Sequence, residues 1–165
     1  MRILFGLRAA ISFGLGILIA FTQAHTYAVG TAVVAGFGLS LGLLSLGFIF
    51  TTKKASWLSP LMIIATLIGL AGLVSFLIPE LQSVLFLPLV ALLGLSFVAF
   101  EGYLAKRHRP STNLGRDFAI SAVLSFALGL VFLVAPLDEV SAVGFLGAYL
   151  AISGVFWGIA AATPE

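Results

Sequence analysis

Six stretches of the chain are apolar almost without interruption, at about 3–22, 28–50, 58–78, 83–104, 116–135 and 140–161. Each holds roughly 20 residues, the length at which an α-helix rising 1.5 Å per residue crosses a hydrocarbon layer about 30 Å thick. Transmembrane barrel strands would show about ten residues of alternating polarity, and these runs are apolar all round. The pattern predicts an all-α, polytopic membrane protein with six transmembrane helices. The polar breaks between the runs are short, at 23–26, 51–56, 79–82, 106–115 and 136–139.

Local signals refine this picture. Ser111, Thr112 or Asn113 is placed to cap the fifth helix. Pro60 falls in the first turn of the third, where its missing N–H costs little. Pro88 lies deeper in the fourth run, so it either kinks that helix or marks its start. Trp57 and Tyr103 stand at run ends, where amphipathic aromatics favour the membrane interface. Arg2, Arg8 and the Thr22-Gln23-Ala24 that follows the first run also fit a secretory signal loosely. That run is read as part of the fold because it takes part in an internal repeat.

Ser12-Phe13-Gly14-Leu15-Gly16 in the first run matches Ser125-Phe126-Ala127-Leu128-Gly129 in the fifth, and Gly69-Leu70-Ala71-Gly72-Leu73 holds the equivalent place in the third. Gly16, Gly72 and Gly129 stand 56 and 57 residues apart, and Pro79 and Pro136 each follow a glycine by seven. Gln23 takes that place in the first repeat. Phe37 and Gly42 align with Tyr149 and Gly154 after a one-residue gap. A period of this length holds two helices and two loops. One transmembrane domain, residues 1–165, is therefore expected as three tandem hairpins (about 3–50, 58–104 and 116–161). Two crossings return the chain to its starting side, so the hairpins run in one sense and suggest a parallel pseudo-threefold bundle.

Composition agrees: 61% of residues are hydrophobic and only 8% charged, against about 25% charged in a soluble domain. The chain cannot supply a polar shell, and a lipid bilayer is its expected partner. A net charge of +2 does not point to nucleic acid, because the eight basic residues flank apolar runs as membrane anchors do. Arg2 and Arg8 flank the first helix, Lys53 and Lys54 lie in the second connection, and Lys106, Arg107, Arg109 and Arg116 lie in or bound the fourth. All eight fall on one side of a six-helix topology, which places both termini in the cytoplasm by the positive-inside rule. Glu80, Asp138 and Glu139 lie on the other side. Cysteine is absent, which excludes disulfides and thiolate chemistry.

The glycine-rich odd helices, Gly129-Leu130 leading to Pro136, and Leu146-Gly147-Ala148-Tyr149-Leu150-Ala151-Ile152-Ser153-Gly154-Val155-Phe156 together resemble the HdeD family of bacterial acid-resistance membrane proteins. The resemblance is strongest in the last repeat. It implies an inner-membrane protein linked to acid or envelope stress, and it brings no catalytic motif with it.

Few residues suggest chemistry. Gly38-Leu39-Ser40-Leu41-Gly42 fits the G-x-S-x-G nucleophile pattern, but that elbow needs a strand-to-helix turn and this one lies within an apolar helix. Gly38 and Gly42 are read instead as helix-packing positions, as are Gly154 and Gly158. Small residues four apart also mark Gly6, Ala10 and Gly14, and Ser121, Ser125 and Gly129. Such stripes serve packing within one chain or, along the sixth helix, a homo-oligomer seam. Glu101 is the one carboxylate inside a predicted helix away from its outer end, and hence the candidate functional polar residue. About one turn before Lys106 and Arg107, it is expected to reach the interface and pair there, or else to line a polar pathway. Asp138, Glu139, Glu80 and His25 read as solvated outer charge, without metal-ligand spacing. No catalytic, cofactor or metal residue is singled out. The expected function is a non-enzymatic membrane protein of the stress-resistance kind, with a small transporter or channel for a solute or proton as the alternative. Mitochondrial carriers also have three hairpins, but their Pro-x-[Asp/Glu]-x-x-[Lys/Arg] ending is missing from Pro136-Leu137-Asp138-Glu139-Val140-Ser141.

Overall fold

The computed structural model describes residues 2–52, 57–108 and 112–163. Lys53, Lys54, Arg109 and Ser111, used above for orientation and capping, lie outside the described residues. The chain forms six helices: α1 (Arg2–Phe21), α2 (Tyr27–Thr51), α3 (Ser59–Leu77), α4 (Pro79–Arg107), α5 (Asn113–Val134) and α6 (Glu139–Ala162). All six are long and apolar enough to cross a membrane. In hydrocarbon every backbone N–H and C=O must be satisfied within the segment, which a helix achieves.

The helix starts follow from local chemistry. Thr112 caps α5, its Oγ1 accepting the Gly115 amide at 3.0 Å. Asp138 caps α6, its Oδ1 accepting the Ser141 amide at 3.0 Å. Pro60 and Pro79 sit in the first turns of α3 and α4. Pro79 also explains a boundary that the polarity pattern misplaces. Helix α4 begins there, ahead of the predicted 83, and runs on through Pro88, whose ring is exposed. Pro88 therefore does not begin the helix.

Large apolar side chains cover the outside. Ile3, Phe21, Phe50 and Val134 are among the most exposed residues of the molecule. Water would penalise such a surface and lipid does not. The helices pack as pairs, and the closest pairs are α1 with α6, α2 with α3, and α4 with α5. Two of these join helices across the connections at 52–58 and 108–112, and the third brings the first and last helices together. Even-numbered helices bury the larger share of their residues, and α2 also touches α4 and α6.

Glycine makes each close pair possible. A Cβ on Gly38 would lie 2.6 Å from the Ala65 carbonyl oxygen and from the Gly69 amide of α3. One on Gly94 would meet the Gly129 amide of α5 at 2.6 Å. On Gly16 it would meet the Ala151 amide of α6 at 2.5 Å. Without a hydrophobic drive between helices in lipid, close backbone approach gains the dispersion energy that holds them.

Aromatic clusters close the bundle at both ends. At the end that carries the chain termini, Phe5 packs on Trp157 at 4.8 Å between ring centroids, and Phe118 meets Trp157 at 5.5 Å. Trp57 is partly buried there and stacks on Phe100. At the opposite end Phe86 bridges Tyr27 and Phe132.

Candidate functional site

A charge inside an apolar helix either finds a partner or incurs several kcal/mol of desolvation. Two such charges meet here. Arg8 lies six residues into α1, about 9 Å along the axis. Glu101 lies six residues before the end of α4, at a similar distance from that end. Arg8 is 4% exposed and Glu101 0%, and Arg8 Nη2 donates to Glu101 Oε1 in a buried ion pair.

This placement corrects two expectations. Arg8 does not flank the first helix as an interfacial anchor. Its side chain turns inward, and the aliphatic stem is buried with the head. Glu101 pairs with a base, but not with Lys106 or Arg107, which neighbour it in sequence. Its partner is 93 positions away on another helix. Arg107 instead donates to the Tyr103 hydroxyl at 3.1 Å, on the exposed side of α4.

The rest of the site comes from three helices. Ser125 of α5 donates to Glu101 Oε2 at 3.2 Å, and its hydroxyl also shares a 3.0 Å hydrogen bond with that of Tyr149 from α6. The Arg8 guanidinium lies 4.4 Å from the Trp157 ring centroid and 5.4 Å from that of Phe97. Stacking on aromatic faces suits the planar, weakly hydrated guanidinium and gives partial compensation for lost water. Three buried polar atoms among the described residues have no hydrogen-bond partner: Arg8 Nε, Ser12 Oγ and Trp157 Nε1.

A cavity of about 20 Å³ reaches Arg8 from the end that carries the termini. Leu4, Phe5, Ser45, Trp57 and Phe100 are among its walls. Its size suits a water molecule. On the other side, a 330 Å³ crevice between α5 and α6 is lined by Leu128, Val131, Phe145, Tyr149 and other apolar residues. Ser125 and Tyr149 therefore join two close helix pairs across a loosely packed junction. The Arg8–Glu101 pair ties the same two units together.

The other singled-out residues lie elsewhere. Gly38 and Gly42 face α3, the latter against Thr66, in the middle of α2. Ser40 stands within that helix, so the G-x-S-x-G pattern forms no elbow. Gly154 packs on the Phe13 backbone and Gly158 lies near Ala9, so α1 of the same chain fills that stripe. Gly14, Gly47, Gly102 and Gly144 meet nothing. Among the outer charges, Glu139 accepts the Tyr27 amide at 2.6 Å and so anchors the start of α2. Hydrogen bonds from Ser141 hold the Asp138 carboxyl below the usual carboxylate range. No group of three or more His, Cys, Asp or Glu side chains suited to a metal occurs among the described residues.

The sequence carries a signal for Arg8, because a basic residue five positions inside the apolar run that begins at Ile3 lies deeper than an interfacial anchor needs. It carries none for the pairing, since nothing in the one-dimensional pattern joins position 8 to position 101. What the fold and the site establish is an integral membrane protein with six candidate spans and a buried polar cluster. Compared with known proteins, the chain matches no family model, no curated protein and no solved structure.

Proposed function

We propose that the chain is a non-enzymatic, multi-pass protein of a bacterial inner membrane that contributes to acid or envelope-stress resistance, with both termini in the cytoplasm. The observation that carries this reading is the Arg8–Glu101 pair with its Ser125–Tyr149 extension. The strongest electrostatic groups of the core are engaged with each other across helices, as suits a device that fixes which helices meet. The glycines that mark the repeat, Gly16, Gly72 and Gly129, each lie against an even helix, α6, α2 and α4 in turn, which supports the three-repeat reading. The HdeD resemblance of the last repeat supplies the physiological setting.

The test is survival of a clean chromosomal deletion after acid challenge, complemented with wild-type protein and with the Arg8→Ala, Glu101→Ala double variant. Wild type restores survival and the double variant does not, at equal membrane abundance. A deletion strain that survives acid like its parent removes the proposal. The second reading, a proton or solute pathway, is favoured by the same polar string. It predicts proton flux in liposomes that Glu101→Gln abolishes.

A further inference from the structure

The close helix pairs leave the seam between α5 and α6 open. These two helices are consecutive in the chain, yet each packs most closely on another partner, α5 on α4 and α6 on α1. The 330 Å³ crevice runs between them, walled by Leu128 and Val131 of α5 and by Phe145, Ala148 and Ile152 of α6, with the buried Tyr149 behind. Phe145, Ala148 and Ile152 are exposed, so the crevice opens outward, within two candidate spans. The Tyr149 hydroxyl is already bonded to Ser125. A water molecule needs two or more polar partners to settle in a cavity, and this apolar wall does not supply them. Left without atoms, a space of this size would forfeit dispersion contact along both helices. Hydrocarbon is the filling that suits it.

The mouth of the crevice is charged. Phe145, Ala148 and Ile152 belong to a stripe of three- and four-residue spacing that continues toward the helix start through Ser141 to the capping residue Asp138. Asp138 and Ser141 are exposed, and a Cβ added to Gly144, between Ser141 and Ala148, would meet nothing within 4 Å. Seven residues separate Asp138 from Phe145, about 10 Å of helical rise. The connection at 135–138 and the first turn of α6 hold Asp138 and Glu139 and no Lys or Arg. Glu139 is engaged with the Tyr27 amide. The Asp138 carboxyl lies below the usual carboxylate range through its bonds with Ser141, so it stays negative at neutral pH.

We propose that this seam is a binding site for one phospholipid with a protonated amine in its headgroup, of the phosphatidylethanolamine class, taken from the leaflet opposite the chain termini. One acyl chain lies in the crevice against Phe145, Ala148 and Ile152, and the ammonium pairs with Asp138. The chain supplies the contact that α5 and α6 do not give each other, and so braces the junction that the Ser125–Tyr149 hydrogen bond spans. An anionic headgroup such as phosphatidylglycerol meets two carboxylates and no base at this mouth and is disfavoured. Exposure and salt screening keep that preference modest. The apolar crevice between α2 and α3, which Leu46 and Met62 help to line, lies nearer the end that carries the termini and serves as the control.

Native mass spectrometry tests the site. Full-length protein is released from nanodiscs of equal phosphatidylethanolamine and phosphatidylglycerol with the same acyl chains, and retained lipids are identified by mass. Wild type keeps one phosphatidylethanolamine, favoured over phosphatidylglycerol by about two- to fivefold, the range that one exposed ion pair gives. Asp138→Asn, which still caps α6, keeps a lipid but loses the preference. Ala148→Trp fills the crevice and releases the lipid, with Ile152→Trp as a second filling variant should the first not fold. Leu46→Trp, in the control crevice, leaves retention unchanged. The headgroup comparison stands even if neither filling variant folds. Equal retention of the two lipids by wild type, a preference that survives in Asp138→Asn, or a lipid held by the filled variants as by wild type overturns the proposal.

Discussion

Arg8 and Glu101 show what a single residue can and cannot reveal before the fold is known. Glu101 was conspicuous as a carboxylate within an apolar run, and its burial follows from that position. Arg8 reads in sequence as an interfacial base, because such a residue near a helix start ordinarily snorkels to the surface. The face of α1 on which it stands turns inward, which the polarity pattern cannot show when a helix is apolar all round. Ser12 and Ser125 were visible only as members of a repeated motif, and Tyr149 only as part of a family-like stretch. Their convergence on one cluster is a property of helix pairing. The pair itself is expected to specify the arrangement more than to stabilise it. Removing one partner, as in Arg8→Met or Glu101→Leu, leaves a buried charge and costs about 3–5 kcal/mol, whereas the double variant is expected to be close to neutral. Unfolding by denaturant in detergent micelles, arranged as a double-mutant cycle, measures the coupling. Additive losses in the double variant contradict the pairing.

The helices as elements were legible, because length and uniform apolarity define a membrane span better than any other secondary structure. Their ends were less so. Pro79 reads in sequence as part of a break, yet it opens α4, since proline fits a first turn as readily as a loop. Which helices pair most closely was not legible either. A hairpin repeat suggests that partners within a repeat pack best, but the closest contacts join α2 to α3, α4 to α5 and α6 to α1. The reason lies in the distribution of glycine. Gly38, Gly94 and Gly16 bring backbones together at those contacts, where an added methyl group meets main-chain atoms that cannot move aside. Gly38→Ala is therefore expected to destabilise by about 1–3 kcal/mol through overpacking. Gly47→Ala, in the same helix with nothing within 4 Å of the new Cβ, is expected to be neutral or to stabilise by about 0.5–1 kcal/mol through backbone entropy. Thermal unfolding of the two variants in micelles separates a glycine needed for approach from one that is merely present. Equal melting temperatures would show that the close contact carries no energy.

At the scale of the whole molecule, orientation depends on charges that the fold itself does not need. An even number of spans returns the chain to its starting side. The loop bases then share one face with both termini, and Glu80, Asp138 and Glu139 share the other. Moving a strongly basic loop across a membrane is costly, and the bias of Lys and Arg sets which face stays in the cytoplasm. The buried pair leaves this argument intact. Arg8 is neutralised by Glu101, so it leaves the tally of orienting charges, and among the described residues Arg2, Lys106, Arg107 and Arg116 still lie toward the end that carries the termini. Because the chain has no cysteine, a single cysteine at any position is a unique label site. Cysteine in place of His25 is expected to react with an impermeant maleimide added to intact spheroplasts. Cysteine in place of Lys53 is expected to react only after the membrane is opened. Removing the charges at Lys106, Arg107 and Arg116 together should weaken this preference and give a mixed population, since topology follows the charge bias and not the packing. If both cysteines react from the same face of closed spheroplasts, the number of crossings between them is even and the paired six-helix arrangement cannot hold.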